Sequence, residues 1–159
     1  MFAAISCVAT MLAIPVTANG YIHPGDSAVL LSAYLCGPVG GCFAAGIGSA
    51  LADIFLGYAY YAPGTFVIKL LDALLAGFVF LALKKSAKIP TVISSVIAGI
   101  AGSIVMILGY FFYSFLLLGD GFAAAVYAIP ANILQAITGI ALSSLVYEIL
   151  RPHAAKFFE

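Results

Sequence analysis

Lys69 and Asp72 are charged residues one helical turn apart, in the middle of an apolar segment that runs from about Thr65 to Leu83. A charge inside a membrane span is costly, so such residues usually face a protein interior or a water-filled site. Four residues of the predicted helix fall on one stripe, at spacings of four, three and four: Thr65, Lys69, Asp72 and Ala76. The stripe should face protein, and Lys69 and Asp72 are candidate substrate-binding residues.

Three further polar residues are expected near this stripe. Asp53 lies near the end of the preceding predicted helix, which a short loop should make an antiparallel neighbour. Asn132 and Gln135 are one turn apart on the last predicted helix, and their amides both donate and accept hydrogen bonds, which suits a neutral heteroaromatic ligand. The alternative is that the carboxylates and Lys69 form a structural ion-pair cluster, and that the amides only tie helices together.

The predicted loops supply aromatic and titratable candidates. His23 is in a loop, where it is either a solvated or interfacial residue or in contact with a ligand. Tyr60 and Tyr61 follow the third predicted helix together with Tyr58. Tyrosines in this position either lie at the lipid interface or close over a ligand.

The sequence does not indicate an enzyme. Ser49 in an apolar helix would need a histidine base within the bundle, but His23 and His153 both lie outside the predicted spans. The sequence has no histidine and carboxylate motif suited to zinc, and no glycine-rich loop followed by lysine for nucleotide hydrolysis. We therefore expect no metal or cofactor on this chain, and any energy source must come from elsewhere.

The composition is that of an integral membrane protein. Hydrophobic residues make up 65% of the 159 residues, charged residues 8%, and the mean hydropathy is +1.21. The formal net charge is zero, and the six basic residues are scattered, which argues against nucleic acid as a partner. With about 20 apolar residues per span, residues 1–159 have room for five or six spans in a single domain.

We predict an all-α, six-helix membrane bundle whose second helix is short and interrupted by Gly37-Pro38. Asp26 or Ser27 is expected to cap that second helix, which at about 16 Å is too short to cross the membrane alone. A first span without any polar flank before it is compatible with a natural chain that starts earlier. The predicted helices cover about 2–18, 26–36, 39–56, 65–83, 90–118, with a break near Tyr113, and 124–150.

The distribution of basic residues predicts the orientation in the membrane. Lys84, Lys85 and Lys88 follow the fourth helix, and Arg151 and Lys156 follow the sixth. An excess of basic residues marks the cytoplasmic side, so both termini should be cytoplasmic. Loops 1 (about 17–26), 3 (57–64) and 5 (119–121) should then share the outer face. If the second element is only re-entrant, the N-terminus moves to the outside.

Four stretches together resemble a known family. They are residues 21–31 (YIHPGDSAVLL), 46–53 (GIGSALAD), 57–69 (GYAYYAPGTFVIK) and 132–135 (NILQ). In order and spacing they resemble the substrate-binding S components of energy-coupling factor (ECF) vitamin transporters. The resemblance is to the riboflavin-type group, which includes pyridoxine and hydroxymethylpyrimidine carriers.

The resemblance implies a subunit without ATPase activity, in the cell membrane of a prokaryote, that binds a vitamin beneath loops 1, 3 and 5. It also implies docking to a transmembrane coupling subunit driven by two cytoplasmic ATPases, which use the ATP. In the family the first helix carries a small-xxx-small docking motif, which Ala9 and Ala13 match here. The alternative for these alanines is ordinary packing within the bundle.

The ligand is left open by the sequence. The chain has no Trp and its third helix is rich in Gly and Ala, so we favour a single-ring vitamin such as pyridoxine or hydroxymethylpyrimidine over riboflavin. Lys69 would then donate to a ring hydroxyl or nitrogen, and Asn132 and Gln135 would contact its other polar edges. The rival function is a self-contained carrier in which Asp53, Lys69 and Asp72 relay protons.

Overall fold

The computed structural model of the chain describes residues 1–12, 14–17, 20–86 and 89–154. By length and composition alone, four helical stretches in this part of the chain reach the size and hydropathy of a membrane span, which confirms a helical membrane protein. They are α2, which is kinked within its length, α3, α4 with the π-helix that continues it, and α5. The elements are α1 (Phe2–Met11), β1 (Ile14–Thr17), β2 (Gly20–Ile22), α2 (Gly25–Phe55), α3 (Ala62–Lys84), α4 (Thr91–Phe112), the π-helix (Tyr113–Leu118) and α5 (Phe122–Ala154).

The first predicted span, residues 2–18, is wrong beyond Met11. α1 ends there, and β1 pairs with β2 as an antiparallel hairpin in which Ile14 lies opposite Ile22. Pro15 explains the difference, because proline has no N–H to donate within a helix and disfavours helical geometry for the residue before it. The segment predicted as loop 1 therefore contains a short strand pair.

The second and third predicted helices are continuous in α2, so the count of six separate helices is not confirmed. The expected interruption is present, because Gly37 has φ 76° and ψ 171°, a conformation open almost only to glycine. Ser32 Oγ donates to the carbonyl oxygen of Gly41 at 3.0 Å. In a straight helix these residues would be about 13 Å apart along the axis, so α2 folds back on itself at Gly37.

Because α2 folds back, it begins and ends at the same end of the bundle, which we call the site end. α3 begins there, and the π-helix and α5 meet there. Tyr113 Oη donates to the carbonyl oxygen of Tyr60 at 2.8 Å, and Ser114 Oγ donates to Asp120 Oδ2 at 2.7 Å. The predicted loops 3 and 5 thus share one end. At the opposite end Lys84 Nζ donates to Tyr147 Oη at 2.9 Å.

Small residues allow the helices of the core to approach closely. The small-residue face predicted for residues 39–56 is buried, and a Cβ on Gly48 would collide with the backbone of Ala3 in α1. The break expected near Tyr113 is confirmed by the start of the π-helix. Tyr113 itself packs on Gly64, whereas Phe112 is 51% exposed, as expected for a lipid-facing side chain.

Replacing Gly37 should test the fold-back of α2. Gly37→Ala should lower the free energy of unfolding by about 1–3 kcal/mol, because a Cβ strains this conformation. Gly40→Ala is the matched control, since a Cβ there would meet only Cys36 Cβ at an ordinary 3.5 Å. The control should be neutral or slightly stabilising. Unfolding in detergent micelles measures both, and a Gly37→Ala protein as stable as Gly40→Ala would contradict the fold-back.

Candidate functional site

The centre of the candidate site is a buried ion pair between Lys69 of α3 and Asp26 of α2. Lys69 is 2% exposed and Asp26 is 3% exposed. Lys69 Nζ contacts Asp26 Oδ1, and Gln135 Nε2 of α5 donates to Asp26 Oδ2 at 2.8 Å. One carboxylate therefore joins three helices, and we call Asp26, Lys69 and Gln135 the ion-pair site.

The fourth helix of the site, α4, contributes Met106 and Tyr110. Met106 Sδ lies 2.8 Å from Lys69 Nζ, and the Tyr110 ring centroid lies 5.5 Å from the same nitrogen. Tyr110 Oη donates to Thr65 Oγ1 at 3.2 Å. An ammonium group has three N–H donors and a thioether is a weak acceptor. Asp26 is thus the strong acceptor that this structure gives Lys69.

The position of Asp26 depends on the start of α2 and on a glycine in α5. Asp26 is in the first turn of α2, where the helix dipole favours a negative charge, but its side chain makes no cap hydrogen bond. The predicted capping role is therefore wrong. A Cβ on Gly139 would lie 2.8 Å from Asp26 Cβ, so glycine lets α5 approach this turn. Gln135, one turn before Gly139, reaches the carboxylate as a result.

His23 is buried at the site end, immediately before α2. It is 6% exposed, so the expectation of a solvated loop residue is wrong. Its Nδ1 accepts a hydrogen bond from the backbone N–H of Gly25 at 3.1 Å. Burial lowers the pKa of His23 below its usual value, although the nearby Asp26 acts in the opposite direction. The neutral imidazole is therefore favoured, as an accepting Nδ1 requires.

The stripe predicted on α3 is confirmed as buried, but its ionic pairing differs from the expected one. Thr65 is 3% exposed, Asp72 2% and Ala76 0%. Lys69 binds Asp26 rather than Asp72 or Asp53. Within the described part of the chain, Asp72 Oδ1 and Asp53 Oδ2 are buried atoms without a hydrogen-bond partner.

The other predicted site residues lie further from the ion pair or outside the described residues. Asn132 is half-buried one turn from Gln135, and no hydrogen bond of its side chain is found among the described residues. Tyr60 is 58% exposed, and its ring centroid lies 4.9 Å from that of the half-buried Tyr61. Ala9 is half-buried on α1. Ala13, the second residue of the predicted docking motif, lies outside the described residues.

Sequence reasoning missed Asp26, Met106 and Tyr110 as members of the site. Asp26 is the second residue of α2, and from the sequence it was considered only as a candidate cap of that helix. Met106 and Tyr110 are one turn apart on α4, but an apolar helix gives no sign of which of its faces meets a lysine.

Comparisons with known proteins agree over nearly the whole chain. Residues 1–152 match the model of a family described as "ECF-type riboflavin transporter, S component". A protein of Pyrococcus woesei, described as "Uncharacterized protein in gap 3'region", is 34% identical over 158 residues, which cover 98% of this chain and 100% of that relative.

Removing the charge of Lys69 should expose the cost of an unpaired Asp26. Lys69→Met should lower the free energy of unfolding by about 3–5 kcal/mol, because it leaves a buried carboxylate without its counter-ion. Adding Asp26→Asn to Lys69→Met should recover most of this loss, because the double variant has no unpaired buried charge at this position. Unfolding in detergent micelles provides the measurement.

The control for the Lys69–Asp26 pair is Arg151→Met, which breaks an exposed ion pair at the end of the bundle opposite the site end. Arg151 Nε contacts Glu148 Oε2 at 3.1 Å, with the Arg151 side chain 49% exposed. Breaking an exposed pair should cost about 0–1 kcal/mol. A Lys69→Met, Asp26→Asn double variant that is less stable than wild type by the sum of the two single losses would rule out the buried pair.

Proposed function

Because the chain belongs to the family of ECF-type riboflavin transporter S components, we propose that it binds a single-ring B vitamin or vitamin precursor at the ion-pair site. S components are the substrate-binding subunits of vitamin transporters, so this chain is a transport subunit. We propose that it has no ATPase activity of its own. Pyridoxine and hydroxymethylpyrimidine are the proposed ligands. Riboflavin, named in the family description, is the alternative.

The observation that carries the proposal is the convergence of polar side chains from three helices on one buried point. Asp26 offers acceptor oxygens, Lys69 offers N–H donors, and the amide of Gln135 offers both. Their formal charges cancel within the site, so a neutral ligand would bring no uncompensated charge into it. A pyridine or pyrimidine alcohol carries a ring nitrogen and hydroxyl groups that could replace these internal contacts.

The close packing of the site supports a small ligand. Lys69 is almost fully buried, and Gly139 lies against Asp26 so tightly that a single Cβ would have to displace it. A three-ring vitamin would need more of the surrounding helices to move than a single ring would. The tyrosines of loop 3 are at the same end of the bundle and could stack on such a ring.

The proposed partners follow from the family. S components associate with an ECF transmembrane module and with ATPases, and we propose one coupling subunit and two cytoplasmic ATPases for this chain. The ATP would be used by those ATPases, and this chain would bind no cofactor. α1 could provide the docking surface, since Ala9 is flanked by Val8, which is 58% exposed, and Leu12, which is 61% exposed.

The proposed orientation places the site end outside the cell and the Lys84 end in the cytoplasm. Lys84, Lys85 and Arg151 lie at the end opposite the ion-pair site, in accord with the excess of basic residues on cytoplasmic loops. A vitamin would then reach the site from outside, and both termini would be cytoplasmic.

A self-contained proton-coupled carrier is the second candidate. The buried carboxyl groups of Asp53 and Asp72, with unpartnered oxygens in the described residues, favour it. Uptake into vesicles that contain this chain without any ATPase would support the carrier and contradict the S-component function.

Ligand binding tests the proposed function. The purified protein should bind pyridoxine or hydroxymethylpyrimidine more tightly than riboflavin in a titration followed by native mass spectrometry. Gln135→Leu should weaken that binding about 10- to 100-fold, since hydrogen bonds to charged groups contribute about 1.5–3 kcal/mol. Lys69→Met should weaken it at least as much.

The matched control is Thr138→Val on the same helix. In the part of the chain that the structure describes, Thr138 Oγ1 donates only to the carbonyl oxygens of Leu134 and Gln135 in its own helix. Its replacement should leave affinity within about twofold, because a local bond of this kind does not reach the ion-pair site. Equal affinities of wild type and Gln135→Leu would remove the site assignment, and tight binding of riboflavin alone would remove the proposed ligand class.

A further inference from the structure

Asp72 occupies a niche that is unusual for a carboxyl group. It is 2% exposed, and its Oδ1 has no hydrogen-bond partner in the part of the chain that the structure describes. A Cβ on Gly102 of α4 would collide with this oxygen, so glycine leaves the space that the carboxyl group fills. Buried polar side chains are nearly always hydrogen-bonded, so an unpartnered one calls for an explanation.

The nearest ionic partner for Asp72 is Lys69, one turn away on α3. Residues three apart on a helix have Cβ atoms about 5–6 Å apart. Helical side chains lean toward the N-terminus, so the carboxyl group of Asp72 leans toward the level of Lys69. Among the described residues, Lys69 in turn has one carboxylate oxygen and one thioether sulfur as partners for its three N–H donors. A buried ammonium group is thus paired with one carboxyl group, while a second carboxyl group lies one helical turn away from it on α3.

We propose that Asp72 is the alternative counter-ion of Lys69, and that it holds a proton while Lys69 is paired with Asp26. This neutral acid explains how Asp72 can lie buried without an ionic partner, since an unpaired buried carboxylate costs several kcal/mol. The proposal extends the function proposed above: a ligand that takes the place of Lys69 at Asp26 would send Lys69 to Asp72.

The exchange conserves charge and protons. Before it, Lys69 is positive, Asp26 is negative and Asp72 is neutral. After it, the O–H bond of Asp72 has broken, an O–H bond on Asp26 has formed, and Lys69 pairs with the Asp72 carboxylate. The protonated Asp26 can then donate a hydrogen bond to the ligand. The other titratable groups that face this cluster are His23, Tyr34, Asp53 and Tyr110.

The exchange can be tested without a ligand, because Asp26→Asn removes the first counter-ion. Infrared spectroscopy of the purified protein should show a protonated carboxyl band that is absent from Asp72→Asn and retained in Asp53→Asn, the control with a second buried carboxyl group. In Asp26→Asn the Asp72 band should disappear although Asp72 is still present, because Lys69 now pairs with it. A band that persists in Asp26→Asn would overturn the exchange. A wild-type spectrum unchanged by Asp72→Asn would overturn the protonated acid.

Stability provides a second readout. In the wild-type background, Asp72→Asn should change the unfolding equilibrium constant by less than about 10-fold. In the Asp26→Asn background, the same substitution should raise that constant on the order of 100-fold, because Lys69 then has no counter-ion. If that double variant does not fold, adding Lys69→Met should restore folding. Equal effects of Asp72→Asn in both backgrounds would contradict the proposal.

A titration with pyridoxine separates this inference from the proposed function. If both are right, pyridoxine removes the Asp72 band as Asp26→Asn does. If pyridoxine does not bind and Asp26→Asn still removes the band, the proposed ligand is wrong and the exchange of counter-ions stands.

Discussion

The structure depends on keeping one ammonium group and one carboxylate together inside an apolar bundle. Lys69 and Asp26 are each at most 3% exposed, and either one alone would be a costly buried charge. The pair has to be formed by residues 43 positions apart. The arrangement of α2, α3 and α5 must therefore bring these residues to the same depth and hold them there.

The fold-back of α2 meets this requirement. The 25–36 half of α2 is too short to cross a membrane, but the reversal at Gly37 places its first turn, with Asp26, at the same end as the start of α3. Glycines at the helix contacts then allow neighbouring helices to pack closely around the carboxyl groups of Asp26 and Asp72. Gly139 lets α5 bring Gln135 to Asp26, and Gly102 leaves the niche of Asp72. The same residues thus serve packing and the site.

Much of this architecture could be predicted from local patterns. The spacing of Thr65, Lys69, Asp72 and Ala76 indicated which face of α3 is buried, and the small residues of 39–56 indicated a packed face. Hydropathy indicated a membrane protein, and the four sequence stretches indicated the family that the comparison with family models confirmed. Each of these signals is contained within one helix or one motif.

The features that could not be predicted depend on contacts between distant segments. An acidic residue at a helix start is read locally as a cap, and only the position of Lys69 in space makes Asp26 an ion-pair partner. The burial of His23 likewise depends on neighbours far away in sequence. The early end of α1 is different, because Pro15 was visible in the sequence but was outweighed by the hydropathy of residues 2–18.

The most direct test of the account is the distance between Lys69 Nζ and the carboxyl carbons of Asp26 and Asp72. Solid-state NMR on protein labelled with ¹⁵N at lysine and ¹³C at aspartate carboxyl groups, in lipid bilayers and without ligand, can measure it. In the wild type, Lys69 Nζ should show strong dipolar coupling to the carboxyl carbon of Asp26. In Asp26→Asn, Lys69 Nζ should instead be coupled to the carboxyl carbon of Asp72. Coupling of Lys69 to Asp72 in the unliganded wild type, with none to Asp26, would contradict the account.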